Sequence, residues 1–272
     1  MKPPRISASG YSNTAPLIWS FLYGANHGRV ELILDNAPAR SAQLLAENRV
    51  DAALVPVIAY QAIADAEIIP GACVGARERV RSVCIITDGR DLSAVRSVSL
   101  DLSSRTSAAL VKIIFREFMG IEPEWLDAEP DIGSMLAAAD AALLIGDPAL
   151  SLSAEIGSRY CIFDLAALWR QHTGLGFVFA MWMTRENGPA IDFAAARDEG
   201  IAHISEIAAN YEAEIGLNHS EMVEYLSKSI SYSVDADMEA GMKLFFDLAF
   251  KHGLTERNKI PTRAAPLENS GL

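Results

Sequence analysis

The stretch Ser97-Val-Ser-Leu-Asp-Leu-Ser-Ser-Arg-Thr-Ser-Ala-Ala-Leu110 joins two kinds of period. Ser97 to Leu102 alternates as a strand does. The apolar residues after it recur at helical spacing as far as Met119, where Gly120 stops them. Between the two lie four hydroxyl side chains and an arginine in five residues, Ser103, Ser104, Arg105, Thr106 and Ser107. A strand feeding directly into a helix is half of a βαβ unit, and the same grammar runs on both sides of it.

Upstream, Arg5 to Ser9 is a short strand, followed by Gly10-Tyr11-Ser12 and an apolar-periodic helix from about Asn13 to Tyr23. Asn13 suits the N-cap, and Pro16 suits the first turn, where its missing N–H costs nothing. Val30 to Asp35 is the next strand. Pro38 opens a helix reaching Asn48, Ala52 to Val55 is a buried strand, Val57 to Ala64 a helix, and Arg81 to Thr87 a further strand. After Asp88-Gly89 the pattern restarts with the stretch quoted above. Then come a short helix over Asp131 to Ala138, a buried strand over Ala141 to Ile145, the turn Gly146-Asp147-Pro148 into another helix, and a strand over Tyr160 to Leu165. Phe177 to Thr184 reads as a fully buried strand. Beyond Pro189 the chain is helical over about Ala190 to Ile215, Ser220 to Ser229 and Asp235 to Lys251, and the polar tail after Thr255 reads as loose. The C-terminal helices read as cover for the first lobe, with nothing in them that suggests chemistry.

This is an α/β chain with mixed, mainly parallel sheets flanked by helices. Two lobes are expected, residues 1–90 with 180–272 as the first and 91–179 as the second, with crossings near Asp88 and Phe177. The ligand cleft would lie between them, outside the carboxyl ends of the strands.

The 272 residues are half hydrophobic, enough for a sizeable core. Thirty-five acidic against 23 basic side chains give a net charge of −12, which argues against a general nucleic-acid partner. The longest strongly apolar stretch, Gly174 to Met183, is far short of the roughly 18–20 residues of a membrane span, so no membrane partner is expected. The N-terminus carries no apolar run of the signal-peptide type, and the expected location is cytoplasmic. Cys73, Cys84 and Cys161 sit among apolar residues and read as free thiols. There is no Gly-x-Gly-x-x-Gly, P-loop or Gly-x-Ser-x-Gly, no HExxH and no carboxylate pair at metal spacing, so no cofactor and no metal are expected.

The chemistry-bearing residues gather at three helix starts that follow strands: Ser12-Asn13-Thr14, Ser103 to Ser107, and Gly146-Asp147-Pro148. Free N–H groups and the positive end of the helix dipole favour an anion there, and hydroxyls add donors. The competing reading is that these residues cap their helices. Ser82 is either an inward polar residue beside the lobe crossing or an exposed strand serine. Arg77, Arg79 and Arg81 alternate with apolar residues and line either the cleft or, for at least two of them, a solvated face. His172 reads as structural. Pattern alone supports a two-lobed anion-binding protein of open activity.

Taken together, several segments resemble the chorismate dehydratases of the futalosine route to menaquinone. They are Arg5-Ile-Ser-x-x-x-Tyr-Ser-Asn13-Thr14-x-Pro16-Leu17, Asp51-Ala-Ala-Leu-Val-Pro56, Val80-Arg-Ser82-Val, Ser103-Ser-Arg-Thr-Ser107-x-x-Leu, Ala139-Asp-Ala-Ala-Leu-Leu-Ile-Gly-Asp147-x-Ala-Leu150 and Asp164-Leu-x-x-x-Trp169-x-x-x-Thr173-Gly174-Leu-x-Phe-Val-Phe-Ala180. The resemblance implies a type II periplasmic-binding-protein-like fold turned to catalysis. It implies loss of water from chorismate, a small dicarboxylate, to give 3-[(1-carboxyvinyl)oxy]benzoate, with no cofactor. Asn13 and Ser82 match the family's functional asparagine and serine. Ser12 and Thr14 flank that asparagine, and the Ser103, Ser104, Arg105, Thr106, Ser107 turn would hold a substrate carboxylate. Gly146 and Asp147, with Thr173 and Gly174, would close the other wall. The chain departs from the family at Gly176 (usually proline), at Val57 and Ala59 (usually serine and glutamate) and at Ser12 (usually leucine).

Two other readings stay open. One is the sister enzyme cleaving cyclic dehypoxanthine futalosine to 1,4-dihydroxy-6-naphthoate. It is expected to carry a histidine on a glycine-rich pocket loop, a context none of His27, His172, His203, His219 and His252 has. The other is a non-catalytic small-anion-binding module.

Overall fold

The computed structural model describes residues 2–35, 37–101, 103–154, 160–185 and 188–264. The strands are β1 (Arg5–Ser9), β2 (Glu31–Asp35), β3 (Ala52–Pro56), β4 (Glu67–Ala76), β5 (Val83–Thr87), β6 (Ser97–Asp101), β7 (Glu124–Ala128), β8 (Ala141–Ile145), β9 (Cys161–Asp164) and β10 (Phe177–Thr184). They form two five-stranded sheets, ordered β2-β1-β3-β10-β4 and β7-β6-β8-β5-β9. β10 runs antiparallel to both β3 and β4, and β5 antiparallel to both β8 and β9. In each sheet four strands therefore point one way and one is reversed. The reversed strand is the one by which the chain enters that sheet after crossing between lobes.

The first crossing falls at residues 77–82, ahead of the Asp88-Gly89 turn where the sequence pattern placed it. Thr87 pairs with Ala141 and Cys161, so β5 belongs to the second lobe. Likewise Phe177 pairs with Ala76, so all of β10 belongs to the first. Asp88-Gly89 is a conspicuous surface turn inside the second lobe, whereas the actual crossing holds neither glycine nor proline to mark it.

The helices are α1 (Ala15–Leu22), α2 (Pro38–Ala46), α3 (Arg105–Ile113), α4 (Ile132–Ala138), α5 (Gly146–Ala154), α6 (Leu165–Thr173), α7 (Phe193–Ala202), α8 (Ile204–Ile215), α9 (His219–Glu224) and α10 (Ala236–Lys251). Sequence reasoning missed β4, whose Pro70 and Gly71 interrupt the strand signal, and β7, a short half-exposed edge strand. The segment after Pro56 is a single 3-10 turn, Val57–Gln61, where a longer helix was expected. The helix expected over 190–215 breaks at His203, whose ring stacks on Trp19 at 3.7 Å.

Most buried apolar side chains form a continuous core that includes residues of both sheets, with Trp169, Phe177 and Phe245 meeting edge to face, and a smaller separate cluster around Ile86, Met135 and Leu144 packs within the second lobe. α10 packs on β10 and on α3, and α8 packs on α1 and α5, so these helices brace both lobes instead of covering the first alone. At the end of α10, Lys251 Nζ (2.8 Å) and His252 Nε2 (2.7 Å) reach Glu117, beyond α3. Cys73, Cys84 and Cys161 are free. No helix among the described residues is long and apolar enough to cross a membrane.

Candidate active site

β1 ends at Ser9, and the chain turns through Gly10 and Tyr11 into a 3-10 turn, Ser12–Thr14, that leads into α1. The Thr14 hydroxyl holds this turn by donating to the carbonyls of Ser9 (2.6 Å) and Tyr11 (2.8 Å). Asn13 caps neither the turn nor α1, contrary to its sequence reading as an N-cap. Its side chain is buried and faces the space between the lobes.

The hydroxyl-rich turn before α3 divides its labour. At the end of β6 the Asp101 carboxylate accepts the Ser103 N–H (2.8 Å) and hydroxyl (2.6 Å). Burial pushes the Asp101 carboxyl up from its ordinary pKa, and the Ser103 bonds pull it back. Ser104 caps α3 by accepting the Ser107 N–H at 3.3 Å. Thr106 Oγ1 accepts the Ile58 N–H, also at 3.3 Å, from the opposite lobe. Both hydroxyls act as acceptors in these bonds, so each keeps its own hydrogen for another partner. Arg105 is exposed and points to solvent.

The third helix start locks the lobes together. Asp147 accepts the Ser12 hydroxyl at 2.5 Å and the Ser12 N–H at 3.1 and 3.2 Å. Burial raises the Asp147 carboxyl above its ordinary pKa, and the Ser12 bonds oppose that rise. Gly146 has φ +64°, a conformation that favours glycine, and a Cβ there would stand 3.0 Å from the Tyr11 ring. Its N–H donates to the Ser82 carbonyl at 2.7 Å.

These contacts border a narrow, partly open interlobe pocket of about 60 Å³. Ser9, Tyr11, Asn13 and Thr14 supply its polar wall from the first lobe, and Ser104, Thr106, Ser107 and Gly146 from the second. Leu54, Pro56, Val74, Phe179, Val83 and Ile145 are among its apolar lining. Among the described residues the wall presents donors but no carboxylate, imidazole, amine or guanidinium. Tyr11 is its one titratable group, and burial raises that phenol's pKa. Among the described residues no cluster of His, Cys, Asp or Glu is suited to a metal ion.

Ser82 stands behind this wall, fully buried, its hydroxyl 3.5 Å from the Val80 carbonyl. Its neighbour Arg81 has φ +64°, an uncommon conformation for a residue with a side chain. Asp164 secures that bend, accepting the N–H groups of Val80 (3.0 and 3.3 Å) and Arg81 (2.7 Å) while capping α6 through Ala167 (3.0 Å). Burial raises the Asp164 carboxyl, and these N–H groups partly offset it.

Of the residues singled out from the sequence, Asn13, Thr14, Ser104, Thr106, Ser107 and Gly146 meet at the cavity. Ser12, Ser82, Ser103 and Asp147 form the layer behind or beside it, and Arg105 lies in solvent. Thr173 and Gly174 end α6 at the return crossing, away from the cavity. There the Thr173 hydroxyl donates to the Trp169 carbonyl at 2.8 Å, and Arg170 reaches the Arg77 carbonyl at 3.1 Å. Arg77, Arg79 and Arg81 line a separate open groove with Lys228 and Glu224, Arg77 paired to Asp235 at 2.6 Å. His172 stacks on Phe118 at 4.7 Å, a structural use.

Three residues escaped the sequence reading. Tyr11 enters the sequence reading only within a turn and the opening signature, with no role of its own. Tyr211 donates to the Gly10 carbonyl at 3.3 Å, and burial pushes its phenol up to about 12. Tyr225 is fully buried beside Asn13 and Ser82. The last two come from C-terminal helical elements, and no local pattern links them to residues so distant in sequence.

The fold has clear relatives among solved structures. Protein AF1704 from Archaeoglobus fulgidus matches with a TM-score of 0.67 at 15% identity, over 93% of this chain and 98% of that one. The periplasmic aliphatic sulphonate binding protein SsuA from Escherichia coli matches with a TM-score of 0.63 at 16% identity, over 100% and 96%. A Candida albicans protein described as having the generic periplasmic binding protein fold matches at 0.64 and 12% identity, over 98% and 100%. The architecture is thus that of a two-lobed periplasmic binding protein. In sequence, a chorismate dehydratase from Thermus thermophilus is 29% identical over 267 aligned residues, 90% of this chain and 94% of that protein. The family model described as menaquinone biosynthesis matches residues 4–251, and with nearly the whole fold so covered, the chain belongs to the menaquinone biosynthesis family.

Proposed function

We propose that this protein is a chorismate dehydratase, converting chorismate to 3-[(1-carboxyvinyl)oxy]benzoate and water. The observation that carries the reading is a largely apolar interlobe pocket edged by hydroxyls and an asparagine, with no ordinary side-chain base among the described residues that line it. Such a wall suits a dianion whose own carboxylate does the proton transfer.

In chorismate the ring hydrogen at C3 is vinylogous to the ring carboxylate, so its removal gives an enolate-like anion delocalised onto that carboxylate. The C3 proton passes to a substrate carboxylate held beside it, and the C4 hydroxyl then departs as water with that same proton, which leaves the carboxylate as it began. The ring becomes aromatic, which drives the reaction forward. The protein's work is to hold the dianion and meet developing charge with fixed donors. Ser104, Thr106 and Ser107, with the N–H groups that open α3, receive one carboxylate. Asn13 faces the reacting ring and hydrogen-bonds the leaving hydroxyl. The Ser82 hydroxyl, held to Val80 only by a bond at the 3.5 Å limit, turns toward the anion at little cost.

The test is to mix purified protein with fresh chorismate, without metal or cofactor, and follow mass and ultraviolet absorption. Loss of one water with an aromatic spectrum supports the reading. Asn13→Asp and Ser82→Ala should then each lower kcat about 100-fold or more, as loss of a transition-state donor does. Unchanged chorismate beside a no-enzyme control overturns it, and near-normal turnover in both variants overturns the roles given to Asn13 and Ser82.

A further inference from the structure

Tyr225 opens a π-helical turn, Tyr225–Ser229, that extends α9 and closes with the Ile230 N–H donating to the Tyr225 carbonyl at 3.3 Å. Such turns widen the helix, weaken its packing and recur at functional sites. The ring is wholly buried, and the Arg81 guanidinium stands 5.9 Å from its centroid. Its hydroxyl makes no hydrogen bond among the described residues. A buried hydroxyl without a partner costs about 1–3 kcal/mol, so a compensating use is to be sought.

The neighbours of that hydroxyl suggest the use. The Arg81 guanidinium over the ring brings the bend that carries Ser82 against Tyr225, and the unpartnered Oη is buried there; burial raises its pKa, and the nearby Ser82 and Asn13 side chains oppose the rise. These are the two residues assigned to the chemistry above. Ser82 meanwhile spends its hydroxyl on a marginal bond to Val80.

We propose that Tyr225 is a positioning residue: during the reaction its O–H donates to Ser82 Oγ and directs the Ser82 hydrogen away from Val80 and toward the cavity. A serine that accepts one hydrogen bond is polarised to donate its own, so the pair works as a relay of donors. The role in turnover rests on the dehydratase reading; the adjacency of the Tyr225 hydroxyl to Ser82, which the free protein already has, does not.

Tyr225→Phe removes only the hydroxyl. The variant should melt at or above the wild-type temperature, because the lost group had no partner at rest. Its kcat on chorismate should fall about 10- to 100-fold with KM within about threefold, the scale of losing a supporting donor behind a catalytic group. In a Ser82→Ala background the same change should cost little more, since both act through one hydrogen bond. A kcat within about twofold of wild type overturns the proposal, as does a melting temperature that falls together with kcat. The link is also read without turnover. In free protein labelled with 13C at tyrosine Cζ, the Tyr225 signal is identified by its absence in Tyr225→Phe. That signal should shift in Ser82→Ala, and an unmoved one overturns the proposal. A wild type that leaves chorismate intact while this shift is present overturns the dehydratase reading alone.

Discussion

At the scale of single residues, the useful distinction is between hydroxyls whose hydrogen is committed and hydroxyls whose hydrogen is left. Ser12, Thr14 and Ser103 donate to Asp147, to backbone carbonyls and to Asp101, so they organise the wall. Ser104 and Thr106 accept backbone N–H groups and keep a donor for the ligand. Ser104→Ala or Thr106→Val should therefore raise KM for chorismate about tenfold, the worth of one hydrogen bond to a charged group. Ser103→Ala should leave KM within about twofold, with steady-state kinetics as the check in each case. Asp147 supplies a pH signature. Its folded pKa lies above the ordinary 3.8, so the protonated form favours the folded state. That contribution is complete below 3.8 and is lost as pH rises through the raised folded value. The stability of wild type relative to Asp147→Asn should fall with pH across that window, as read by denaturant melts at a series of pH values. Asp101 and Asp164 shift in the same direction, but they are common to both proteins and cancel in the difference.

At the scale of elements, the position of α1 decides where Asn13 points, and α7 sets that position. A Cβ at Gly200 in α7 would collide with the Pro16 carbonyl oxygen, a backbone atom that cannot swing aside. Gly200→Ala should force the two helices apart and destabilise the fold by about 1–3 kcal/mol, measured by urea unfolding. Turnover should drop with it, because the Ser12–Thr14 turn moves with α1. Gly241→Ala in α10 would meet the Gly176 carbonyl oxygen in the same way, at the return crossing. These contacts are invisible in the helical period, since a glycine within a helix pattern only lowers the propensity for helix.

For the whole molecule, the central fact is that the lobes are joined by more than their two crossings. Ser12 with Asp147, Tyr11 with Gly146, and Ile58 with Thr106 bridge the mouth of the cleft. α8 and α10 span both lobes behind it, over a continuous core. Such a molecule should unfold as one unit. Calorimetry should show a single transition with equal calorimetric and van't Hoff enthalpies, and two resolved transitions would contradict a shared core. Asp147→Ala removes the strongest bridge at the mouth, and should increase the radius of gyration in solution scattering while the single transition persists.

The sequence by itself determined the local structure. Alternating periods place most strands and helices, and hydroxyls after strands mark the helix starts at 12–14 and 103–107 as Gly-Asp-Pro marks the one at 146–148. Those features depend on near neighbours in the chain, which is why they are legible in it. Tertiary structure decided the rest. Nothing local says that β5 joins the second sheet, because a buried apolar strand suits either one. Nothing local turns Thr173 and Gly174 away from the cavity, or buries Ser82 behind Val83 and Gly146. The meeting of Asn13, Ser82 and Tyr225 is a contact among three distant segments. It exists only once two crossings and a C-terminal brace have closed the lobes, and burial there, not sequence, sets which hydroxyls remain free to act.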